Sequence, residues 1–140
     1  MDEKTIVNNI LSYIEKNLDE DLSLNRIEEE VHYSKFYINR LFAKETGCTI
    51  YKYIQKRRIT EAARQLAGTC KPIAEIAQEA HYNSQQAFTL AFRQIYYCTP
   101  QEYRKNGVFC PKQPEITIMD CIYMAGSNFL MYGGKIAAWV

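Results

Sequence analysis

The chain has 140 residues, enough for one ordinary domain or two very small ones. Its 47% apolar content excludes wholesale disorder, and no run is long and apolar enough for a signal peptide or a membrane span. The expected location is the cytoplasm, with no membrane partner. A net charge of +1 gives little reason to expect a nucleic-acid binder until its distribution is read. Residues 1–30 hold nine acids and three bases, residues 31–107 twelve bases and five acids, and residues 108–140 two of each. Such separation suits a basic face for phosphate, although a solvated surface of arbitrary charge order reads the same way.

Val7, Ile10, Leu11, Ile14 and Leu18 make a helical stripe over about 4–18, read as scaffold. Ser23 is an N-cap for a helix over about 24–31 with Ile27 and Val31 inward. A turn at His32-Tyr33 follows, and Ser34 caps a helix to about Thr46. That helix has Ile38, Leu41 and Phe42 on the buried stripe and Phe36, Asn39, Arg40 and Ala43 on the opposite one. Gly47 ends it as a left-handed C-cap does. Thr49 then caps a longer helix to about Ala67, closed by Gly68. Its Lys56-Arg57-Arg58 cluster reads as either a phosphate contact or a solvated patch.

From Pro72 to Arg104 two more short helical patterns meet at a turn around His81–Asn83. The second pattern, starting near Ser84, buries Phe88, Ala91, Phe92 and Ile95. It presents Gln85, Gln86, Thr89, Leu90 and Arg93 on its other face. Thr99-Pro100 opens a last short helix, because proline suits the first helical position.

These stretches repeat. Ile27, Glu30, His32 and Tyr33 recur 49 residues later as Ile76, Glu79, His81 and Tyr82. After one inserted residue, Ser34, Phe42, Cys48, Thr49 and Tyr53 recur 50 later as Ser84, Phe92, Cys98, Thr99 and Tyr103. Two tandem units of helix, tight turn and polar-faced helix result, the layout of a helix-turn-helix that reads DNA. A connecting helix of about 18 residues spans roughly 27 Å. With packing offsets, that length allows the units to meet major-groove turns about 34 Å apart.

Five cysteines (48, 70, 98, 110 and 121) include no C-x-x-C pair and are read as reduced thiols, with Cys48 and Cys98 packing at matched repeat positions. His32 and His81 are symmetric turn residues without neighbouring ligand spacing, so no metal site is expected. No phosphate loop, nucleophile elbow or carboxylate pair occurs; no catalytic residue, enzyme activity or cofactor is expected. Beyond Val108, Pro111 and Pro114 break helix. Glu115–Met124 reads as a strand, Gly126-Ser127-Asn128 as a turn and Phe129–Tyr132 as a second strand. A hairpin this apolar needs a partner surface.

Residues 22–47 (LSLNRIEEEVHYSKFYINRLFAKETG) and 73–104 (IAEIAQEAHYNSQQAFTLAFRQIYYCTPQEYR) resemble the DNA-binding domain of AraC/XylS-type transcription regulators, particularly the MarA, SoxS and Rob group. The second stretch carries the closing pattern F…F-[KR]…T-P-x-x-Y-R as Phe88, Phe92-Arg93 and Thr99-Pro100 to Tyr103-Arg104. The resemblance implies an all-α fold of seven helices. Two helix-turn-helix subdomains over residues 1–107 are joined by a long central helix, and a short non-helical tail with β character covers 108–140. That tail is either an extension packed on the helices or, by a weaker resemblance, the opening of a GyrI-like effector domain.

By position, base contacts fall on Phe36, Asn39 and Arg40 in the first recognition helix (about 35–46) and on Gln85, Gln86, Thr89 and Leu90 in the second (about 84–96). Arginine forks onto guanine, asparagine and glutamine pair with adenine, and Phe36 meets thymine methyls. Phosphate contacts are expected from Lys35, Arg93, Arg104 and Lys105, with backbone N–H groups at Ser34 and Ser84. The subgroup typically has tryptophan at 36, glutamine at 39 and arginine at 90, so Leu90 implies weak discrimination or a taste for thymine. Histidine at 32 and 81 replaces the usual turn glycine and tolerates positive φ, whereas Tyr97 at the place of Gly47 is less comfortable. The expected function is transcription activation or repression from an asymmetric promoter site. The partners are double-stranded DNA and RNA polymerase, and the chain is a monomer on DNA. The alternative is a degenerate reader that binds polymerase or another regulator as a protein-interaction module; a third reading gives the tail an effector-sensing role.

Overall fold

A computed structural model describes residues 2–116, 129–132 and 135–138. Seven helices occur in order: α1 (Glu3–Lys16), α2 (Leu24–Val31), α3 (Lys35–Thr46), α4 (Ile50–Gly68), α5 (Ile73–Glu79), α6 (Gln85–Tyr96) and α7 (Pro100–Asn106). Short polar caps start most of them. Ser23 Oγ accepts from Arg26 N–H, Ser34 Oγ from Tyr37, Thr49 Oγ1 from Lys52, Ser84 Oγ from Ala87 and Thr99 Oγ1 from Glu102. Each bond satisfies an N–H that has no partner within its helix.

The chain divides into two compact units, Met1–Tyr53 with Glu115–Val140, and Ile54–Pro114. In the first, α1, α2 and α3 pack on one another around Val7, Ile10, Ile14, Ile27, Ile38 and Phe42, all fully buried. Tyr53 is buried edge-on against Phe42, and its hydroxyl accepts the Ile116 N–H at 3.1 Å.

The second unit has its own core, built from Ile59, Ala63 and Leu66 of α4, Ile76 and Ala77 of α5, and Phe88 and Phe92 of α6. Cys98 and Phe109 pack at its margin. Phe92 stacks on Tyr96 with centroids 4.8 Å apart, and Tyr103 meets both edge-on. Residues after α7 run back over this core. Cys110 N–H donates to Tyr103 Oη and its carbonyl accepts from Tyr96 Oη, both at 2.8 Å, while Gln113 N–H donates to Thr60 Oγ1.

Strands β1 (Phe129–Tyr132) and β2 (Lys135–Ala138) pair antiparallel, Phe129 opposite Ala138 and Tyr132 opposite Lys135. The expected strand over Phe129–Tyr132 is present, and among the described residues it pairs with the strand that follows it in sequence. Most of the strand expected over 115–124, and the turn at 126–128, lie outside the described residues.

Candidate nucleic-acid interface

In the first unit, α2 closes at His32, whose backbone is left-handed (φ 63) and whose N–H reaches the Glu28 carbonyl at 2.9 Å. The turn delivers Ser34 to the start of α3. Ile38, Leu41 and Phe42 bury one side of that helix, so Phe36 (82% exposed) and Arg40 project from the other. Asn39 is half-buried on the same side, and its Oδ1 is enclosed without a hydrogen-bond partner. The Arg40 guanidinium lies over the Tyr37 ring, 5.8 Å from its centroid. Lys35 is tied to α2 at both ends: its backbone N–H donates to Glu28 Oε2 at 2.7 Å and its Nζ to Asn25 Oδ1 at 3.3 Å.

The second unit repeats this layout with different chemistry. His81 is also left-handed (φ 67), so both turn histidines adopt the backbone their positions require. Phe88 and Phe92 are fully buried and Ala91 nearly so. Gln85, Gln86 and Leu90 (64% exposed) therefore face outward, with Thr89 half-buried beside them. This face offers amides, a hydroxyl and an aliphatic tip, with no cation until Arg93.

The cations expected at phosphate are placed unequally. Lys35, Arg93 and Lys105 are exposed, and Ser34 and Ser84 sit at the two helix starts. Arg104 instead is half-buried, with Nε donating to the Leu66 carbonyl near the end of α4 at 3.0 Å and Nη2 enclosed. Of the Lys56-Arg57-Arg58 cluster, Arg57 is only 3% exposed. Its guanidinium donates to the Gln113 carbonyl at 2.8 Å and to Glu61 at 3.0 Å, so it is an interior strut and no phosphate ligand.

Sequence reasoning missed Glu28 and Tyr37. The repeat carried a signal for both: at the same offsets Glu28 falls on Ala77 and Tyr37 on Ala87, each an alanine in the second unit. Ala77 is buried and brings no acceptor, whereas Glu28 caps α3 with a charge-assisted bond. Among the described residues, no group of three or more His, Cys, Asp or Glu is placed to hold a metal ion. No described helix is long and apolar enough to cross a membrane.

Comparison with known proteins agrees with this geometry. A helix-turn-helix domain family matches residues 27–106. The chain is 44% identical over 105 residues to the transposon Tn10 TetD protein of Escherichia coli, covering 75% of this chain and 76% of that protein. It is 38% identical over 102 residues to the multiple antibiotic resistance protein MarA of Escherichia coli, covering 73% and 80%. Among solved structures, a transcriptional regulator of the AraC-type DNA-binding-domain class from Chromobacterium violaceum superposes with a TM-score of 0.71 at 28% identity, covering 75% of this chain and 94% of that one. The chain belongs to the AraC-type helix-turn-helix family of DNA-binding transcription regulators, a family that is not one of enzymes.

Proposed function

We propose that the chain binds one asymmetric promoter site as a monomer, α3 and α6 entering successive major grooves, and that it acts from there on RNA polymerase in the cytoplasm. The observation that carries this reading is the matched exposure of Phe36 and Arg40 on α3 and of Gln85, Gln86 and Leu90 on α6, each opposite a buried stripe. Arg40 forks onto guanine O6 and N7, Gln85 and Gln86 address adenine bidentately, and Asn39, with its Oδ1 enclosed, offers adenine N7 only its Nδ2 donor. Phe36 and Leu90 meet thymine methyls, and Thr89 supplies a hydroxyl. Phosphates are held by Lys35, Arg93 and Lys105 and by the helix starts at Ser34 and Ser84, while Arg104 supports α4 from within. The two helices carry unlike side chains, so no palindromic half-site is needed.

Selection from a randomised duplex pool, followed by affinity measurement across salt concentrations, tests this. The expected result is one asymmetric motif of two blocks about one helical turn apart. Arg40→Ala is expected to weaken specific binding by about 1–3 kcal/mol. The exposed apolar tips of Phe36 and Leu90 favour the rival reading, a protein-interaction module. That rival gains if no motif emerges and binding is weak and lost steeply with salt.

A further inference from the structure

The geometry points to Tyr37 as a positioning residue for Arg40: its ring holds the guanidinium in the orientation from which it meets a guanine edge. This inference rests on the reading of Arg40 as a base-contacting residue. An arginine on a solvated helix face samples many rotamers, and a bidentate contact needs its planar fork in one of them. Tyr37 lies one turn before Arg40, with the guanidinium 5.8 Å from the ring centroid, within cation–π range. The ring is itself restrained. Tyr33, from the turn, lies against it with centroids 5.4 Å apart and planes inclined at 43°, and Ser34 fixes the Tyr37 backbone through its N–H. Tyr33, Tyr37 and Arg40 thus form a short series running from the turn to the outward face of α3.

The tandem repeat supplies an internal control. At the same offsets the second unit carries Tyr82, Ala87 and Leu90. Tyr82 turns to the core, packing edge-on against Phe88 at 5.7 Å, and Ala87 is exposed. The aromatic support and the arginine occur together in α3 and are missing together in α6. A tyrosine retained only to cover the scaffold has no reason to follow the arginine.

The test uses the full chain and the selected duplex, with single base-pair changes through the α3 block. Wild-type protein is expected to prefer guanine at one position there, and Arg40→Ala to erase that preference. Tyr37→Ala and Tyr37→Leu are expected to reduce the preference at that same position about two- to fivefold, leaving discrimination elsewhere unchanged, because leucine keeps bulk but has no π face. Tyr37→Phe is expected to retain it. In the Arg40→Ala background, Tyr37→Ala is expected to change nothing further. Equal loss at every position, or the same loss without Arg40, would overturn the positioning role and leave Tyr37 as packing alone. Unchanged guanine preference in Arg40→Ala would instead remove the base-contact reading of Arg40, and this inference with it. Thermal melting of each variant separates loss of fold from loss of discrimination.

Discussion

Gly47 and Tyr97 close α3 and α6 in the same left-handed conformation, φ 82 and φ 62, each donating its N–H to the carbonyl four residues back. Glycine enters that region freely, whereas an L side chain there costs about 1–2 kcal/mol. The Tyr97 side chain is 82% exposed and has little burial to offset the strain. Tyr97→Gly is therefore expected to stabilise the protein by about 1 kcal/mol, part of the relief being lost to the freer unfolded chain. A thermal melt is expected to show a rise of a few degrees, and Gly47→Tyr a fall of similar size.

Arg57 is the strut between α4 and the segment after α7. Arg57→Ala leaves the buried Gln113 carbonyl without its donor, while half-exposed Glu61 keeps the bond from Arg64 Nε. Destabilisation of about 1–3 kcal/mol is expected in denaturant titration. Specific DNA affinity of the folded variant is expected to stay at the wild-type value, in contrast to Arg40→Ala.

Burial pushes the Tyr96 phenol far above the ordinary tyrosine value of 10.0, and burial raises Tyr103 as well. A folded-state pKa above the unfolded one means that the fold favours the protonated form. The stabilisation is complete below pH 10 and is lost as pH rises through the folded values. Melting temperature is expected to fall steeply above pH 10. Phenolate absorbance is expected to show Tyr96 and Tyr103 ionising together with unfolding. Tyr96→Phe flattens that fall while losing about 1 kcal/mol at neutral pH, since the Cys110 carbonyl then lacks its donor.

Leu90 gives α6 an aliphatic tip where hydrogen-bonding side chains surround it. In the proposed complex it packs on thymine methyl groups. Replacing thymine by uracil in the α6 block removes a methyl worth about 0.8 kcal/mol, or roughly fourfold in affinity. Leu90→Ala is expected to abolish that difference; a persisting difference would assign the methyl to another residue.

Periodicity and capping made the helices legible. Ser23, Ser34, Thr49, Ser84 and Thr99 each start a helix as their side-chain chemistry predicts, and the buried stripes of α3 and α6 fall on Phe42, Phe88 and Phe92. The expectation for Arg57 failed for a geometric reason. Three consecutive cations look like one patch in a sequence, but successive helical residues point about 100° apart, and the middle one turned inward. Its partner carbonyl lies 56 residues away and carries no local mark. The same holds for Arg104, whose acceptor is 38 residues back on α4. The strand over Lys135–Ala138 carried no separate expectation, because its short run of Ile136, Ala137 and Ala138 has no alternation of its own to mark it.

The bond from Lys35 N–H to Glu28 has a consequence for observing the protein in solution. Backbone amides in the first turn of a helix ordinarily exchange with solvent deuterium almost freely, having no carbonyl to protect them. The carboxylate makes Lys35 an exception, so its amide is expected to exchange slowly while that of Gln85, at the matching place on α6, exchanges fast. One resolved peak then reports whether the turn ahead of α3 stays closed, free or on DNA.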